Sequence, residues 1–217
     1  MLTYHDRTAH NAAQCFKQCK DASAEYWGIK EEGLPLPQMQ ALYREFRKCG
    51  KKTVLEVVAY TEAQCLKGAE MAAACGCDLL MGTVFFDSVN AFCQQNNIKY
   101  MPFVGEVSGR PSVLNGDIDD MIRQAESYLQ KGVFGIDLLA YRYTGDSSKL
   151  IRKFVSEVKA PVCIAGSVSS FRHLDEIKSV SPWAFTIGSA FFDHDFGSGF
   201  QQQINRISDY MKETVNV

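Results

Sequence analysis

The sequence predicts an α/β protein, a single (β/α)8 barrel with an all-parallel closed sheet spanning residues 1–217. Three observations predict it. Short apolar runs alternate with longer amphipathic ones along the whole chain, as repeated strand–helix units with right-handed crossovers require. The short runs show little polar alternation, as expected of strands covered on both faces. The last two runs, at 162–167 and 183–189, both end in Gly-Ser. An open doubly wound sheet is the competing architecture, but it carries its glycine loop after the first strand rather than the last two.

The elements follow in order. Residues 2–5 form a brief first strand and 9–21 a helix. Residues 25–30 make the second strand. Pro35 and Pro37 then stand where a helix start tolerates proline, and Met39, Leu42, Tyr43 and Phe46 recur at helical spacing up to Gly50. Residues 53–59 are a β-branched third strand, and Thr61 is positioned to cap an Ala-rich helix reaching Cys75. Strand four is 78–83, with a helix over 86–96, and strand five is 99–105. Residues 108–116 are rich in Gly, Pro and Ser and read as an extended loop before a helix over 117–131. Strand six is 134–140, followed by a loop at 141–146 and a helix over 147–158. A helix over 171–180 separates the two Gly-Ser strands, and 201–212 is the final helix.

Net charge is −2 with a pI near 6.1, so no global basic field points to nucleic acid or an acidic membrane surface. No apolar run approaches the roughly 20 residues that span a bilayer. The N-terminal residues lack an apolar signal core, so a cytoplasmic protein is expected. The eight cysteines form no Cys-x-x-Cys pair and have no His partner at zinc spacing. They read as small, partly buried apolar side chains, and neither metal nor cofactor is implied.

In a (β/α)8 barrel the chemistry gathers at the C-terminal ends of the strands. Those ends present His5, Lys30, Glu56, Thr83, Arg110, Asp137 and Arg142. Glu56 and Asp137 stand inside apolar strands, where a carboxylate is costly unless paired. Lys30 is the natural partner for one of them, and Arg142 or Arg110 for the other. A Lys–Glu pair that merely satisfies itself is the plainer reading of Lys30 and Glu56. Gly166, Ser167, Gly188 and Ser189 bring backbone N–H groups to two neighbouring strand ends, the geometry that cups a phosphate, although tight turns alone would also use them.

The stretch from Trp183 to Ala190, with Ile164 to Ser167 upstream, resembles the phosphate-binding half of the ribulose-phosphate-binding barrels. In wording it is most similar to the N-acylmannosamine-6-phosphate 2-epimerases. The likeness covers about thirty residues and implies a phosphate role for Gly166, Ser167, Gly188 and Ser189; it carries over no epimerase catalytic residue.

The expected function is therefore an enzyme acting on a small phosphorylated sugar or keto compound. An isomerase or epimerase working by acid–base proton transfer is expected first, with Lys30, Glu56 and Asp137 catalytic. His5, Thr83, Arg110 and Arg142 are the expected substrate contacts. An aldolase or decarboxylase using the Lys30 amine, and a non-catalytic phospholigand-binding barrel, are the alternatives. A homodimer is compatible with this fold.

Overall fold

The structure, a computed structural model, describes residues 1–213. Its backbone follows the strand–helix alternation closely. A four-stranded parallel sheet runs in the order β3 (Tyr26–Lys30), β4 (Lys52–Val57), β5 (Leu79–Gly82) and β6 (Lys99–Met101). A second parallel sheet holds β9 (Ile136–Leu138), β10 (Val162–Ile164) and β11 (Ala184–Phe185). Single backbone hydrogen bonds join the two sheets at both seams. On one side Phe134 N donates to Tyr100 O at 2.9 Å and Asp137 N to Pro102 O at 3.0 Å. On the other, residues 1–4 fit between the sheets, with Leu2 N donating to Gly28 O at 2.8 Å and the Met1 amine to Ile187 O at 2.9 Å. The result is the expected (β/α)8 barrel.

The helices are α1 (Ala12–Cys19), α2 (Leu36–Lys48), α3 (Glu62–Cys75), α4 (Asp87–Gln95), α5 (Ile118–Gln130), α6 (Ser147–Glu157), α7 (Phe171–Val180), the single turn α8 (Ser189–Phe192) and α9 (Phe200–Lys212). Their starts follow local chemistry. Asp117 accepts from the amides of Asp119 and Asp120, Asp146 from Lys149, and Ser170 from His173, each satisfying an otherwise orphaned donor. The expected cap at Thr61 is a correction. Thr61 holds the N-cap position, but its hydroxyl donates to Gln64 Oε1 at 2.9 Å instead of accepting from a backbone amide.

Two further expectations change. The first strand is not a plain run over 2–5. It is half of a hairpin, β1 (Thr3–Tyr4) paired antiparallel with β2 (Arg7–Thr8) around His5 (φ 46°) and Asp6 (φ 63°). Two successive positive φ values match the twist of a two-residue hairpin turn, and a short polar Asp tolerates that region. The loop expected over 108–116 is also a hairpin, β7 (Glu106–Ser108) against β8 (Val113–Asn115), inserted between the fifth barrel strand and the helix that follows it.

Side chains separate into two apolar clusters. The larger fills the space between strands and helices, with Phe16, Tyr43, Phe46, Leu80 and Phe154 among its buried members. The smaller, Val54, Leu79, Met81, Met101 and Cys163, lies inside the barrel. All eight cysteines are free and only Cys49 is exposed. Burial pushes the thiols of Cys19 and Cys93 up to about 12 and those of Cys65 and Cys75 up to about 11, so they remain unreactive thiols near neutral pH. No described helix is long and apolar enough to cross a membrane.

Candidate active site at the barrel mouth

Lys30 and Glu56 are direct register partners on adjacent parallel strands, so their side chains leave the sheet on the same face and meet at its C-terminal end. Lys30 Nζ lies 3.0 Å from Glu56 Oε1. A third group joins them, because the β1–β2 turn carries Asp6 across the mouth and sets its Oδ1 2.6 Å from Lys30 Nζ. The hairpin is held there by Thr8, whose hydroxyl donates to Lys30 O at 2.7 Å and accepts from Lys30 N at 3.0 Å.

The arginines converge on the same aspartate. Arg142 Nη1 lies 3.5 Å from Asp6 Oδ1, and its Nε donates to Ser167 Oγ at 3.4 Å. Arg110, from the β7–β8 connection, pairs with Glu31 Oε1 at 2.5 Å and Glu32 Oε2 at 2.8 Å, with its Nε 3.9 Å from Asp6 Oδ2. The expectation that an arginine would pair with Asp137 is thus corrected: both reach Asp6. Asp6 stands at the end of the first strand, and nothing in its spacing marks it as their partner. Its signal in the sequence is faint, a His-Asp pair at a tight turn. Replacing Arg110 with Ala should free the insert, raising amide exchange across residues 106–115 roughly tenfold by mass spectrometry; unchanged exchange would mean the ion pairs do not hold it.

Asp137 occupies a different position from the one expected. It is fully buried, neither oxygen has a hydrogen-bond partner among the described residues, and it does not reach the wall of the cavity described below. Burial raises its pKa well above the usual carboxylate range, and the nearby Glu56 charge raises it further. Both effects favour the protonated form of Asp137. For Lys30, burial alone would lower the pKa, but the Glu56 and Asp6 carboxylates outweigh it and the net shift is upward. Lys30 is an ammonium at pH 7. Burial likewise raises the Glu31 carboxyl, against the opposing pull of Arg110.

A cavity of about 260 Å³ opens at this end of the barrel. Asp6, Lys30, Glu56 and Arg142 form one side; Gly166, Ser167, Gly188 and Ser189 form the other. Gly166 has φ 90°, and a Cβ there would sit 3.0 Å from Arg142 Cγ. Ser167 follows at φ 77°, a costly conformation for a residue with a side chain and a kind of strain that gathers at ligand sites. A Cβ on Gly188 would come within 2.4 Å of Thr3 Oγ1, so only glycine fits between the last strand and the first. The Ser189 hydroxyl accepts from the His5 amide at 3.2 Å. Asp193 and Asp195 stand exposed at the rim.

Three expected contacts lie elsewhere. The His5 side chain is exposed and packs at a tilt of 41° against Tyr4, with ring centroids 3.9 Å apart, so only its backbone reaches the site. Thr83 is fully buried at φ 67°, and its hydroxyl bonds the Tyr100 hydroxyl at 2.5 Å on the helix side of the strand. Arg110 meets the cluster through Asp6 but does not line the cavity. No group of three or more His, Cys, Asp or Glu side chains among the described residues is placed to hold a metal ion.

No protein-family model matches the chain, and no curated protein matches it. Its likenesses are to solved structures. It is similar to orotidine 5'-phosphate decarboxylase from Pyrococcus horikoshii OT3, at 14% identity over 98% of this chain and 97% of that one, with a TM-score of 0.69. It is similar to the 4-hydroxy-2-oxoglutarate aldolase/2-deydro-3-deoxyphosphogluconate aldolase from TTHB1, at 14% identity over 91% and 86%, with a TM-score of 0.65. It is also similar to N-(5'-phosphoribosyl)anthranilate isomerase from Pyrococcus furiosus, at 11% identity over 92% and 93%, with a TM-score of 0.64. At such identities the likeness is one of architecture: the chain has the (β/α)8 barrel fold that these three proteins share.

Proposed function

We propose that this barrel is an enzyme acting on a small phosphorylated sugar or keto compound, and that it moves a proton next to a carbonyl as an isomerase or epimerase does. One observation carries the reading. A single cavity has a buried ammonium–carboxylate pair on one side and the two Gly-Ser turns of the last strands on the other. The phosphate lies against the backbone N–H groups near Ser167 and Ser189, with the Arg142 guanidinium beside it. Remote binding energy there holds the reacting carbons over Lys30 and Glu56. Lys30, kept as an ammonium, stabilises the oxygen of an enediolate, and Glu56 takes and returns the proton. Asp137 acts on Glu56 from behind, because its neutral form spares Glu56 a second buried negative charge. Asp193 and Asp195 oppose an incoming anion, but their exposure lets solvent screen them.

The charge state of Lys30 favours proton transfer over a Schiff-base lyase. An imine forms only from a neutral amine. Here two carboxylates hold the proton on Nζ. The three structural neighbours named above are a decarboxylase, an aldolase and an isomerase, all for phosphorylated or keto compounds, which supports the substrate class and leaves the reaction to the site chemistry.

The test is proton wash-in. The protein is incubated in D2O with a panel of ketose and aldose phosphates, and deuterium at the carbon next to the carbonyl is read by NMR. Exchange is expected for at least one compound, with Glu56→Gln lowering it by about 10²–10⁴-fold. A Lys30 adduct trapped by borohydride would overturn the isomerase reading in favour of a lyase. Phosphate binding with no exchange across the panel would leave a binding barrel instead.

A further inference from the structure

A second cavity, of about 270 Å³, lies at the opposite end of the barrel from the mouth. Its inner wall is Val54, Leu79 and Cys163; Trp27, Trp183 and Ile207 of α9 close the rest. The space exists because neighbouring strands place two small side chains together. Cys163 and Ala184 are direct register partners where barrels of this type usually stack bulky branched residues. Trp183, 37% exposed, stands at the opening and meets Tyr26 and Phe134 edge-on at 5.4 and 5.3 Å. The one carboxylate at this cavity is Glu25, which Lys52 pairs at 2.6 Å.

An apolar cavity of roughly 150 Å³ already stays dry and admits benzene. This one is larger, and its lining is mainly hydrocarbon, sulfur and aromatic. The Met1 amine also borders it, but that amine donates to Ile187 O at 2.9 Å and burial lowers its pKa to about 6, so it offers an acid little positive charge near neutral pH. We propose that it is a second binding site, which takes a small neutral apolar molecule, a substituted aromatic ring or a short hydrocarbon chain. Among the described residues only Met1 and Thr186 border both cavities, and neither is among the groups given a role at the mouth, so the second site stands whether or not the phosphate reading does.

The chain supplies its own reporter, because its only two tryptophans, Trp27 and Trp183, both line this cavity. Toluene titrated into the intact protein should shift tryptophan emission to the blue in a saturable way as it displaces water from Trp183. Benzoate, the same ring with a charge, should give no saturable shift. Ala184→Leu, which fills the space beside Cys163, should weaken the toluene response at least tenfold with the circular dichroism unchanged. A non-saturable response to toluene, an equal response to benzoate, or an undiminished response in folded Ala184→Leu would each overturn the proposal. If that variant does not fold, the toluene–benzoate comparison on the native chain decides alone.

Discussion

Replacing Lys30 with Met should cost about 3–5 kcal/mol of unfolding free energy, because removing one partner of a buried ion pair strands the other charges. The side chains of Lys30, Asp6 and Glu56 are 6%, 4% and 12% exposed, so water cannot take over the lost contact. Two carboxylates would then face one another above the buried Asp137, with Arg142, 3.5 Å from Asp6, as the nearest remaining cation. Methionine keeps the length of the chain and so isolates charge from packing. Adding Glu56→Gln removes one stranded charge. The double variant should lose less than the sum of the singles, with a coupling of about 0.5–3 kcal/mol. Urea unfolding at pH 7 measures all three. A loss under about 1 kcal/mol for Lys30→Met would mean that the cluster is solvated, and the proposed proton chemistry would lose its dry setting.

The second large effect is a pH dependence at Asp137. Its pKa is raised on folding, so in the unfolded chain it loses its proton near the ordinary value of about 3.9 while the native state keeps it. Between those two values the folded protein binds more protons than the unfolded one, and stability falls as pH rises. The slope from this one group approaches 1.4 kcal/mol per pH unit. Asp137→Asn places a neutral amide of the same shape in the same pocket and has no proton to lose. The variant should gain on the native protein as pH rises from about 5, and the gain should level off only where the folded protein itself releases the Asp137 proton. Parallel stability curves for the two proteins over that range would show that Asp137 is charged in the native state. The same substitution leaves Lys30 and Glu56 in place, so proton wash-in should survive it at a reduced rate, as suits a group that tunes the base without touching substrate.

Much of this architecture is legible one residue at a time. A β-branched run such as 53–57 and an Ala-rich run such as 62–75 state their own secondary structure, because propensity and periodicity act over a few neighbours. Glu56 and Asp137 announce themselves for the same reason: an acid inside an apolar strand needs an explanation wherever the strand ends up. The Lys30–Glu56 pair is nearly as plain, since the two lie on consecutive parallel strands, one ending its strand and the other one residue short of the end. Asp6 is different. Its role depends on a hairpin whose two turn residues are not glycine, and on that hairpin folding back over a strand 24 positions away. Thr83 fails in the opposite direction. A hydroxyl at a strand end looks available until the backbone, at positive φ, turns it towards Tyr100.

The sequence alone determined the barrel, the order of its strands, the two acids in apolar runs and the glycine turns that end the last two strands. Each of these follows from short-range sterics and from which side chains water rejects. Only the tertiary structure decided the partners: that both arginines serve Asp6, that Asp137 is sealed beneath the mouth without a hydrogen-bond partner among the described residues, and that small residues on neighbouring strands leave a chamber at the far end. Charge pairing and cavity space depend on distances between residues far apart in the chain, and those distances exist only once the barrel has formed.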